Sequence, residues 1–116
     1  GRGVFIGANV YIGPKATIRT GAIVNNGAVV EHECDVGAFA HVASGAVLSG
    51  HVMVGEGTLI GARAVVRHGQ KIGAWAVIGA GAVVVSDVPD RETVVGCPAK
   101  PLLVSQATDS LEEAAL

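Results

Sequence analysis

The chain has 116 residues, enough for one domain, with a net charge of −2 and a pI near 6. That balance excludes a broad basic surface for nucleic acid, and no apolar run approaches the ~18 residues that cross a bilayer. Half of the residues are apolar yet only 3% are aromatic, and glycine is abundant, an unusual mixture that makes internal repeats the first thing to seek.

From Phe5 the chain cuts into hexads: FIGANV, YIGPKA, TIRTGA, IVNNGA, VVEHEC, DVGAFA, HVASGA, VLSGHV, MVGEGT, LIGARA, VVRHGQ, KIGAWA, VIGAGA, VVVSDV. The second residue is Ile, Val or Leu in all fourteen, from Ile6 to Val84. The sixth is usually small, as at Ala22, Ala28, Cys34, Ala40 and Ala46. Glycine recurs at the fifth, where a turn needs an unusual backbone angle. The register is read as unbroken from Phe5 to Val88. A period of six fits neither a helix nor a simple alternating strand, but it fits short strands joined by tight corners. The sixth and second positions then point inward, and the first and third outward. Three strands close a triangular coil of eighteen residues, and coils stack at about 4.8 Å. The expected fold is all-β, a parallel β-helix over residues 1–101.

The hexads resemble those of the hexapeptide-repeat acyltransferases. The resemblance spans roughly residues 3–101 and implies a left-handed coil and a homotrimer.

Residues eighteen apart share a column. The outward columns are Phe5, Ile23, His41, Leu59, Val77; then Tyr11, Val29, Val47, Val65, Val83; then Thr17, Asp35, Met53, Lys71. Two outer faces are therefore apolar and one is largely polar. Two unlike apolar faces meeting head to tail close a ring, and a trimer suits a triangular prism.

The stretch VVEHECDVGAFAHV (29–42) places polar residues on this apolar frame. One corner column reads Pro14, His32, Gly50, His68, Ser86. Gly50 leaves a notch beside His32 with exposed backbone. A neutral imidazole suits proton abstraction near pH 7, so His32 is assigned as a general base for acyl transfer from a thioester. Glu33 is assigned to orient its ring, and the Gly50 N–H to contact the thioester oxygen. His41 lies half a coil from His32, on a different side of the prism, so the two meet only across a subunit boundary. Cys34 is inward and a poor nucleophile. His51 is read as a surface residue, Trp75 as corner packing, and His68 is given no role.

EHEC-x-x-G-x-x-x-H-V (31–42) is similar to the branch of the family that acetylates bacterial sugars, the N-acetyltransferases of nucleotide-linked 4-amino sugars and the sialic-acid O-acetyltransferases. That resemblance implies His32 as catalytic base with Glu33 beside it, and His41 and Gly50 as acetyl-CoA contacts. GAGAVVVSDVPDRETVVGCPAKP (79–101) is similar to the family's closing motif and implies that Lys100 faces the phosphates of CoA. Arg63, Arg67 and Lys71 are read as a basic end near the site, suited to the 3′-phosphate. The implied function is acetyl-CoA-dependent transfer to an amine or hydroxyl of a sugar, with no metal. The branch usually carries an N-terminal nucleotide-sugar domain, and no GxGxxG loop after a strand is available here. The chain is thus the catalytic part of a larger enzyme or a short form that holds its acceptor between subunits. It opens Gly1-Arg2-Gly3 without Met, which is read as part of a longer polypeptide or a processed or engineered form, and no signal peptide precedes the first motif. Its two cysteines, Cys34 and Cys97, lie far apart without CxxC spacing and are read as two reduced thiols in a cytoplasmic protein.

Other readings stay open. A γ-class carbonic anhydrase shares the coil, but Gly73 stands where a third zinc ligand is needed. A non-catalytic trimeric scaffold, or a serine or other small-molecule O-acetyltransferase, uses the same frame. The tail over 102–116 offers Asp109 as an N-cap with Glu112 three residues on, and is read as a short helix or a frayed end.

Overall fold

Each hexad makes one short strand and one corner in the computed structural model, which describes residues 1–102. Strands β1 to β5 are Phe5–Ile6, Tyr11–Ile12, Thr17–Ile18, Ile23–Val24 and Val29–Val30. Strands β6 to β10 are Asp35–Val36, His41–Val42, Val47–Leu48, Met53–Val54 and Leu59–Ile60. Strands β11 to β16 are Val65–Val66, Lys71–Ile72, Val77–Ile78, Val83–Val84, Thr93–Val95 and Lys100–Pro101. They form three sheets, β1-β4-β7-β10-β13-β15-β16, β2-β5-β8-β11-β14 and β3-β6-β9-β12. These are the first, second and third faces of a left-handed β-helix. Pairing is parallel throughout except between β15 and β16. The step is eighteen residues, as Phe5↔Ile23, Ile23↔His41 and His41↔Leu59 show. The expected tail helix at Asp109 lies outside the described residues.

The inward slots behave as the pattern requires. Val24, Val30, Val36, Val42, Leu48, Ile60, Val66 and Ile78 are fully buried, each facing small partners such as Ala22, Ala28 and Ala40. Burying each of these large side chains stabilises the coil by about 1.5–3 kcal/mol. Thr58 is the buried polar exception. Its hydroxyl donates to the Gly73 carbonyl at 2.6 Å and accepts the Ala76 N–H at 3.0 Å, so this side chain is satisfied. In the first coil Ile6 and Ile12 occupy inward slots but are exposed, because no other described coil covers them.

The fifth slot of every regular corner lies in the left-handed region. Glycine fills it at residues 21, 27, 45, 57, 69 and 81, but Asn9, Lys15, Glu33, Phe39, His51, Arg63 and Trp75 also adopt φ of 56–61° there. The turn is tolerated because it aims that N–H at the previous coil. Glu33 donates to the Pro14 carbonyl, His51 to that of His32 and Gly69 to that of Gly50, each at 3.0 Å. The slot is thus set by the ladder between coils, and side chains other than glycine bear a local strain of about 1–2 kcal/mol.

The register does not run unbroken to Val88. After Val84 the coil is two residues short: Val88 bridges Ile72, and Val77 pairs with Thr93. Val88 therefore takes a second slot, buried, instead of a sixth. Pro89 restricts the backbone before it and offers no N–H. The Asp87 carboxylate accepts the Lys71 N–H at 2.9 Å in place of the missing carbonyl, and Asp90 accepts that of Ala74 at 2.8 Å.

Candidate active site

The corner between the second and third faces carries the polar residues. His32 stands in its fourth slot and Glu33 in the left-handed fifth slot, just after β5. One coil on, Gly50 and His51 occupy the same two slots, and after β11 His68 takes the fourth. The Glu33 Oε1 lies 3.3 Å from His32 Nδ1 and 3.4 Å from His51 Nε2. The ring centroids of His32 and His51 are 5.1 Å apart, those of His51 and His68 5.2 Å, and those of His32 and His68 6.2 Å. Three imidazoles and one carboxylate thus line a single exposed edge.

His32 and Glu33 are brought together as expected. With the proton on Nδ1 donated to Glu33, the His32 Nε2 is left as an acceptor, which is the form a general base requires. The expected notch is present, but its backbone is not exposed. The His32 ring lies over Gly50, and a Cβ on that glycine would collide with the ring closest to Nε2. Gly50 is buried beneath it, because the absent side chain is the space the imidazole fills. The Gly50 N–H has no acceptor among the described residues.

His51 is exposed, as expected, but it shares the edge with His32 and Glu33. It sits eighteen residues after Glu33 in the same column, and reading that column beside the one containing His32 would have found it. His68 joins the same edge. His41 lies on β7, in the first face, between Ile23 and Leu59. That face is opposite the histidine corner, so within one chain His32 and His41 are separated by the whole prism, as expected. The His41 Nε2 is buried and has no hydrogen-bond partner.

The expected basic end does not assemble. Arg63 lies at the corner between the first and second faces, its side chain over Gly45. Arg67 is exposed beside His68, and Lys71 is on the third face. Adjacency in sequence had grouped residues that the coil distributes around its circumference. Lys100, on β16, lines a cleft of about 230 Å³ with Ser86 and Asp87. β16 is the last strand of the first sheet, so this cleft lies across the C-terminal end of the coil, and Lys100 reaches it from the first face. The larger concavity, about 470 Å³, lies on the third face between Arg19, Met53, Glu56 and Lys71. There Arg19 holds Asp35 with two bonds of 2.8 and 2.6 Å, and this pairing raises the guanidinium above its ordinary value. Asp35 is thereby committed away from the histidines. Cys34 is also unavailable: it is buried, donates to the Ser49 carbonyl at 3.1 Å, and burial pushes its thiol up, away from thiolate.

Two family models match the chain. Residues 51–86 match the bacterial transferase hexapeptide (six repeats) and residues 1–38 the hexapeptide repeat of succinyl-transferase. No curated protein matches. Among solved structures, the acetyltransferase domain of PglB from Neisseria gonorrhoeae, in complex with acetyl coenzyme A, is 40% identical with a TM-score of 0.81 over 88% of this chain. PerB from Caulobacter crescentus, in complex with CoA and GDP-perosamine, is 34% identical with a TM-score of 0.66 over 86% of it. A serine acetyltransferase in complex with CoA is 33% identical with a TM-score of 0.75 over 81%. The chain spans about half of each relative, 53%, 54% and 42% in that order.

Proposed function

The chain belongs to the hexapeptide-repeat transferases, and on that premise we propose that it moves an acetyl group from acetyl-CoA to an amine or hydroxyl of a sugar, with His32 as general base. The observation that carries this reading is the His32 ring, seated over Gly50 with its Nδ1 against Glu33 and its Nε2 left to accept a proton. PglB and PerB, bound to acetyl-CoA and to CoA with GDP-perosamine, support the donor and a nucleotide-linked amino sugar as acceptor.

In this mechanism the acceptor's nitrogen or oxygen attacks the thioester carbon while His32 Nε2 removes its proton. The Gly50 N–H accommodates the developing oxyanion, once a small tilt of the His32 ring uncovers it. Collapse of the adduct breaks the carbon–sulfur bond, and the imidazolium returns its proton to the departing CoA thiolate. Glu33 keeps the ring in the required tautomer and stabilises the imidazolium. The donor lies along the edge toward Lys100. A convex edge encloses nothing by itself, so the site is completed by a second chain in a homotrimer, whose apolar first face brings His41 opposite His32. The reaction is placed in the cytoplasm, where Cys34 and Cys97 stay reduced.

The test is acetyl transfer to a panel of amino sugars and nucleotide-linked sugars, with the acetylated product detected by mass. His32→Ala is expected to lose about 10²–10⁴-fold in rate while remaining folded. A variant within a fewfold of the parent sinks the base assignment.

A further inference from the structure

We propose that His32, Glu33 and His51 form a zinc site that overlaps the catalytic base, so that bound zinc switches acetyl transfer off. The site itself stands on geometry alone; its effect on transfer rests on His32 being the base.

The three candidate ligand atoms, one from each residue, lie within 4.8 Å of one another. Two of the separations are 3.3 Å, His32 Nδ1 to Glu33 Oε1, and 3.4 Å, Glu33 Oε1 to His51 Nε2. Ligands at the ~2.0–2.1 Å bond lengths of tetrahedral zinc stand about 3.3–3.4 Å apart, so these two contacts already have the spacing the ion requires. Two imidazoles and a carboxylate are a donor set that zinc accepts readily. The fourth position is left to water, as in zinc sites with three protein ligands.

The framework is also set before any ion arrives. Glu33 and His51 both occupy the left-handed slot, at φ 61° and 59°, so each side chain leaves the corner in the same direction. The His51 N–H bonds to the His32 carbonyl at 3.0 Å, which locks one coil to the next at this point. All three residues are exposed, so an ion needs no path through the protein.

The consequence for chemistry follows from the tautomer. A neutral imidazole bound to zinc through Nδ1 carries its proton on Nε2. Nε2 then donates and cannot accept a proton from the acceptor sugar. The ion also takes Glu33 away from its role as ring partner. Zinc thus removes the base without blocking the edge along which CoA lies.

The experiment uses the untagged chain, stripped of metal by EDTA and dialysed, titrated calorimetrically with zinc chloride and, separately, with cobalt chloride read by visible absorption. Expected are one zinc per chain, an intense cobalt band of low coordination number, and binding at least tenfold weaker in both His51→Gly and Glu33→Gln. Glycine is native to the His51 slot in the next coil, at Gly69, so that variant folds. No saturable binding, or variants that bind as tightly as the parent, overturns the site. With acetylated sugar detected by mass, saturating zinc is expected to slow transfer more than tenfold, reversibly with EDTA. Stoichiometric zinc that leaves transfer unchanged overturns the switch. A metal-free chain that binds zinc as described but acetylates nothing overturns the proposed activity and leaves the site intact; active chain that binds no zinc does the reverse.

Discussion

Two corners of the same coil use one backbone for different ends. At the corner between the third and first faces, the left-handed column reads Gly21, Phe39, Gly57, Trp75. There each aromatic ring lies over the glycine one coil before it, Phe39 on Gly21 and Trp75 on Gly57. At the corner between the second and third faces the corresponding column reads Lys15, Glu33, His51, Gly69, and there Glu33 engages both His51 and His32. Both corners pack a ring on a glycine, since His32 covers Gly50 just as Trp75 covers Gly57. The first corner spends its rings on packing, while the second spends them on groups that hold and move protons. The repeat fixes the backbone; the choice between scaffold and chemistry is left to one or two side chains per turn.

That division can be broken from either side. The largest effect belongs to His32→Ala, which should lower kcat/KM by about 10²–10⁴-fold with little change in Tm, as measured by product formation and calorimetry. Next comes Gly50→Ala. Its methyl forces the His32 ring aside, and a displacement of this kind costs about 10²-fold in transfer rate. Gly57→Ala is its counterpart at the packing corner: the methyl meets the Trp75 ring at a backbone φ of 67°. It should destabilise by about 1–3 kcal/mol in urea unfolding and leave the rate per folded molecule unchanged. A rate loss matching that of Gly50→Ala would erase the distinction between the corners. The smallest effect is that of His51→Gly, which relieves a strained left-handed residue and should raise stability by about 1 kcal/mol.

The hexads made nearly all of the fold legible, because an inward Ile, Val or Leu every six residues leaves no other arrangement of strands. His32, Glu33 and the opposite placement of His41 were legible for the same reason: columns of eighteen turn a sequence into a map. What was missed shows where that map was read incompletely. His51 lay one column away from the one followed, in a slot understood only as a place for glycine. Arg63, Arg67 and Lys71 were grouped by sequence proximity, though each lies at a different point around the prism. Val88 was counted as a sixth-slot residue because the hexad pattern carries no signal for a two-residue deletion closed by Asp87. The covered state of Gly50 was out of reach, since it depends on the rotamer of a neighbouring imidazole.

The step of eighteen residues, constant from Phe5 to Val84, has a further consequence. Pro14, His32, Gly50 and His68 are graduations on a ruler, each about 4.8 Å from the next. Distances from the base along that edge are therefore counted in whole coils, not tuned continuously. Adding or removing one coil between His51 and Ser86 changes the reach of that edge by one graduation while leaving the His32–Glu33 corner untouched. The length of ligand that the edge measures is inherited as an integer.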